Sequence, residues 1–220
     1  MSRRNWPVEA LLVTTALLLI IGAYRLLPSM GPIGTIGHAF VPWLWILVPW
    51  GILTIKRESP ETFGFRTDDI LPSATTGLVI SLVILLPYFL IFAFFFGKPA
   101  PLLDSGWDAV TKWVKLSVYQ LFVVALPEEF FFRGYLQTRL NQVLGRPFRL
   151  FGVEIGWGLP LTALTFMIFH LLFGVNLWNL GVFFPALVMG WLKDKTGSIT
   201  APTVFHALSN IFLFTFQGRF

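Results

Sequence analysis

Residues 114–140 read VKLSVYQLFVVALPEEFFFRGYLQTRL. From Val114 to Leu136 the run is long and apolar enough to cross a bilayer core, which takes about 20 helical residues. Inside it stand Glu128, Glu129 and Arg133. An ionised side chain at mid-membrane costs roughly 3 kcal/mol even on the lenient insertion scale. Three of them so close together need both a partner and a reason to be there.

Outward from this segment the chain keeps the same character. Of its 220 residues, 55% are hydrophobic and 12% charged, and the mean hydropathy is +0.74, outside the usual range of soluble domains. Six further runs read as spans: Val8–Leu27, Ala39–Ile55, Leu71–Phe96, Leu159–Val175, Leu177–Leu192 and Ala201–Gln217. A cleaved signal peptide is the rival reading of the first. Its apolar stretch is longer than such regions run, and no small-residue cleavage site follows. Pro72, Pro87 and Pro160 lie in or near these runs, where neighbouring helices can satisfy the freed carbonyls. The expectation is an all-α, polytopic integral membrane protein of about seven transmembrane helices, forming one domain over residues 1–220.

The net charge of +5 reflects topology rather than nucleic-acid binding, because the basic residues are scattered between apolar runs and form no stripe. Alternate loops differ in basic content. One side holds Arg3, Arg4, Lys56, Arg57, Arg66, Arg139, Arg146, Arg149, Lys193 and Lys195; the other holds Arg25, Lys98, Lys112, Lys115 and Arg219. The excess of Lys and Arg in cytoplasmic loops puts the N-terminus in the cytoplasm. Arg133 belongs to neither side. Cysteine is absent, which removes disulfides, thiolate metal ligands and a cysteine nucleophile.

Glu129 and Arg133 stand four residues apart with the acid first, the favourable order for an ion pair on one helix face. Glu128 is rotated by about 100° from Glu129, so one arginine does not neutralise both acids together. One carboxylate is left for chemistry, and Pro127, just before the pair, should disturb the helix there. Two more runs carry polar groups. The fifth has Phe166 and, one turn on, His170; the seventh has His206 and Asn210 on one face, pointing to a single polar target. The bland alternatives are a buried ion pair that locks packing and helix-to-helix hydrogen bonds. His38 lies in an outer loop and is assigned no role.

Taken in order, Glu128-Glu129-Phe-Phe-Phe-Arg133, Phe166-x-x-x-His170 and His206-x-x-x-Asn210 resemble the three motifs of the CPBP family of intramembrane proteases. That family includes the CAAX-processing endopeptidases and bacteriocin-processing relatives. The resemblance covers a motif-bearing core of about residues 114–217; the first hundred residues match only as hydrophobic spans. It implies a CAAX-protease-like helical bundle that hydrolyses a peptide bond in a membrane-associated or lipid-modified protein or peptide. It is compatible with prenylated C-terminal motifs, leader-peptide maturation or trimming of a sorting tail. The short chain without an accessory domain suits a bacterial member, and so an inner (plasma) membrane.

Hydrolysis needs a base for water, donors for the tetrahedral oxyanion and an acid for the leaving amine. The expected roles are Glu128 holding and activating water, His170 sharing that water, His206 and Asn210 polarising the carbonyl or stabilising the oxyanion, and Glu129 with Arg133 supporting the geometry. No cofactor is expected. Zinc held by Glu128, His170 and His206 is the competing mechanism, but the H-E-x-x-H spacing is missing. A transporter or proton relay would string ionisable groups along a path, whereas here they cluster in three runs. A catalytically dead scaffold is opposed by the intact motif residues.

Overall fold

The computed structural model describes residues 6–25, 40–96, 107–172 and 174–217. His38, expected in a loop without a role, lies outside them. The described chain is helical apart from its loops and one small hairpin. Helix α1 spans Trp6–Arg25, and α2 (Leu44–Lys56) is entered through a tight turn at Val41–Trp43. A second tight turn, Pro60–Phe63, leads to α3 (Ile70–Phe96) and the long α4 (Trp107–Leu144). Strands β1 (Phe148–Leu150) and β2 (Val153–Ile155) precede α5 (Gly158–Leu171), α6 (Leu177–Gly181), α7 (Phe183–Thr196) and α8 (Thr200–Gln217).

Helices α3 and α4 are each long and apolar enough to cross a bilayer. On α3, Leu71, Val83 and Phe94 are all more than 60% exposed. Such a surface is unfavourable in water and suits lipid. Two of the expected spans are shorter than the sequence suggested. The fifth ends at Leu171 rather than Val175, and the sixth is broken at Val182 into α6 and α7. With 14 residues each, α5 and α7 extend about 21 Å, less than the ~30 Å hydrocarbon core.

Helix α4 is the axis of the structure. Every residue from Phe130 to Arg139 is buried, and Trp45, Phe166 and Phe169 pack around this segment. Its polar side grips α7 at three points, each four residues from the next. Arg133 donates to the carbonyl of Ala186 (3.3 Å), Gln137 to that of Gly190 (2.9 Å) and Asn141 to the carboxylate of Asp194 (3.3 Å). Equal steps in the same direction make α4 and α7 a parallel pair. Gly190 permits the close approach, since a Cβ there would lie 2.8 Å from Leu159 and 3.0 Å from Gln137. Helices α3 and α8 are likewise parallel, meeting at Gly77 and Ala201 and again at Tyr88 and Phe212.

Of the described basic residues assigned to one side, Lys56, Arg139 and Arg146 gather at one end. Lys56, at the close of α2, pairs with Glu9 near the start of α1. Arg139 of α4 pairs with Glu58 (2.6 Å) and Glu9 (3.4 Å). Arg146 pairs with Asp194 at 3.3 Å, and the amide of Ile199 donates to the carbonyl of Gly64. The same end carries the β-hairpin, which the periodicity did not reveal. Its two-residue turn, Phe151-Gly152, has positive φ at both positions (49° and 80°), the twist that suits a tight hairpin. Trp191 of α7 pins it by donating to the carbonyl of Leu150.

Candidate active site

Pro127 shapes α4 where the acidic pair sits. Its ring lacks an N–H and crowds the preceding turn. The expected disturbance takes the form of two wide turns, Tyr119–Ala125 and Phe130–Gln137, in which hydrogen bonds reach five residues back rather than four. Between them lies the short α-helical stretch Leu126–Glu129. Wide turns of this kind recur at functional sites, because each shifts the phase of the side chains that follow.

Glu129 is fully buried. Its Oε1 accepts from Arg133 at 2.8 Å, the pair that the four-residue spacing predicts. The same oxygen accepts from Nδ1 of His206 at 2.8 Å, so α8 is tied to α4 at this carboxylate. The motif spacing did not show that His206 meets Glu129. Glu128 is turned differently. Its Oε2, like the second oxygen of Glu129, has no hydrogen-bond partner, and it lies 3.8 Å from Nε2 of His206. The imidazole of His206 therefore has one edge toward each glutamate.

Phe166 holds the two histidines. Its ring lies 4.4 Å from that of His170 and 5.6 Å, edge-on, from that of His206, while the Arg133 guanidinium covers it at 4.5 Å. His170, in the last turn of α5, has Nδ1 at 2.9 Å from the Phe166 carbonyl. A carbonyl only accepts, so Nδ1 carries the proton, and in the neutral ring Nε2 is an acceptor. The shared phenyl ring brings the second and third motifs together.

Asn210 departs from the expectation of one target shared with His206. Its Nδ2 donates to Oε1 of Gln120 at 2.9 Å, whereas His206 bonds Glu129. Gln120, 2% exposed, belongs to no motif read from the sequence. The signal for it was available: a lone amide in an apolar run, eight residues before Glu128. The same holds for Gln137 and Asn141, which continue the series Glu129, Arg133 at four-residue intervals.

Chemically the cluster holds two carboxylates, one guanidinium and one imidazole beside a second imidazole. Among the described residues, no group of three or more His, Asp or Glu side chains is arranged to hold a metal ion.

Residues 110–212, a little under half of the chain, match the family model described as Type II CAAX prenyl endopeptidase Rce1-like. The matched segment contains all three motifs. No curated protein and no solved structure matches the chain.

Proposed function

We propose that this chain, a CAAX-family intramembrane protease by its match over residues 110–212, hydrolyses its substrate with a water activated by Glu128 and without a metal. The match supports reading it as a peptide hydrolase of the membrane, acting on membrane-associated proteins or peptides. The observation that carries the finer reading is the inequality of the two glutamates. Glu129 is occupied by Arg133 and His206, while Oε2 of Glu128 is left facing Nε2 of His206.

In this mechanism water donates one hydrogen to Glu128 and the other to Nε2 of His170, leaving its oxygen lone pairs for the substrate carbonyl. Glu128 takes the first proton as the new C–O bond forms. The tetrahedral oxyanion is met by a proton on Nε2 of His206 and by the second Nδ2 hydrogen of Asn210. The C–N bond then breaks, and Glu128 returns its proton to the leaving amine. Glu129 and Arg133 hold His206 in orientation and take no part in proton transfer. The basic end of the bundle faces the cytoplasm, with the chain in the plasma membrane of a bacterium; the lysines and arginines gathered there support that orientation.

The test is a comparison of membrane peptides from cells with and without the protein, followed by cleavage of the peptide so found in reconstituted vesicles. Cleavage by the wild type that is lost in Glu128→Gln and in His206→Ala supports the reading. Unchanged cleavage in either variant contradicts it.

A further inference from the structure

Gln120 is an amide buried at the start of the first wide turn of α4, a turn whose other residues are aliphatic or aromatic. A polar side chain in such a place is costly unless bonded. Its Oε1 accepts from Asn210, so it spends that bond on the one asparagine of the third motif and not on the backbone.

The geometry points to Gln120 as the positioning residue for Asn210, fixing which edge of its amide faces the reacting carbonyl; this rests on the role given to Asn210 above. An asparagine amide has two unlike ends, and rotation by half a turn about its last bond exchanges them. An acceptor at Oε1 of Gln120 admits only the Nδ2 end on that side. One Nδ2 hydrogen is thereby used and the other is held at a fixed angle to it, available to an oxyanion. Without Gln120 the amide turns freely and for part of the time presents Oδ1, an acceptor that repels developing negative charge. The consequence falls on the transition state rather than on substrate binding, because the oxyanion exists only there.

The experiment measures kcat and KM separately in reconstituted vesicles, with the membrane peptide that the wild type cleaves as probe. Gln120→Leu and Gln120→Met remove the acceptor, Gln120→Glu keeps an accepting oxygen, and each is combined with Asn210→Ala. The expected result is a fall in kcat of about 10- to 100-fold for the Leu and Met variants with KM within about twofold. Gln120→Glu stays within about threefold of wild type, and neither Leu nor Met adds a loss in the Asn210→Ala background. The proposal is overturned if the Leu and Met variants keep full kcat, if Gln120→Glu falls as far as they do, or if their losses add to that of Asn210→Ala. An unfolding midpoint for each variant shows which of the two removals to read. If Asn210→Ala is itself fully active, the oxyanion role of Asn210 fails, and that outcome is distinct from a failure of Gln120 alone.

Discussion

His206 donates from Nδ1 to Oε1 of Glu129 at 2.8 Å, the same oxygen that accepts from Arg133. One carboxylate thus joins the first and third motifs, and it stands at the centre of the buried charge. Removing it leaves Arg133 without its counter-charge. Glu129→Gln is expected to lower stability by about 3–5 kcal/mol, the usual cost of stranding a buried charge. Glu128→Gln, which breaks no hydrogen bond in the described structure, should cost less than about 1 kcal/mol. Denaturant unfolding in detergent measures both; equal losses would refute the difference between the two acids.

The α3–α8 contact is set by backbone against backbone. A Cβ at Gly77 would lie 2.5 Å from the carbonyl oxygen of Ala201 and 3.0 Å from its Cα, neither of which can swing aside. Gly51 has nothing within 4 Å of that position. Gly77→Ala should therefore destabilise by about 1–3 kcal/mol, as overpacking does, while Gly51→Ala stays within about 0.5 kcal/mol or gains slightly. Thermal unfolding of the two variants makes the comparison.

The seam between α4 and α7 predicts a graded effect. Gln137→Leu loses the bond to the Gly190 carbonyl and should cost about 0.5–2 kcal/mol, the range of interhelical hydrogen bonds in membranes. Activity per folded molecule should be unchanged, because Gln137 lies beyond the cluster that holds Glu128. A variant that folds normally yet does not cleave would place the seam inside the chemistry.

The chain has no cysteine, so single introduced cysteines report sidedness without background. Phe151→Cys, at the exposed hairpin tip, should react with a membrane-impermeant maleimide only from the cytoplasmic side. Asp108→Cys, at the other end of α4, should react only from outside. The reverse pattern would invert the orientation derived from the basic residues.

Metal dependence has a direct readout. Purified protein held in excess chelator and shown to be metal-free should cleave at the untreated rate. Loss of activity that returns with zinc would replace glutamate-activated water with a zinc-bound one.

Much of this was readable from residue order. The exposed surface of α3 follows from composition, and the Glu129–Arg133 pair follows from four-residue spacing, because both depend on local helix geometry alone. The partners of His206 and Asn210 did not follow. A shared helix face fixes direction only to within a turn, whereas the wide turns around Pro127 decide which residue of α4 each one meets. The shortness of α5 and the break at Val182 also escaped, since residues 172–182 are nearly as apolar as the helices they interrupt. The hairpin at 148–155 is too brief for its alternation to stand out from the flanking spans.

Glu128 is proposed as the base. Its most direct test is the profile of membrane peptides in cells carrying wild-type protein or Glu128→Gln at matched levels of folded protein. At least one peptide cleaved by the wild type is expected to remain whole in the variant, with the rate in vesicles lowered by about 1,000-fold or more. Cleavage by Glu128→Gln at a rate within about twofold of wild type would contradict it.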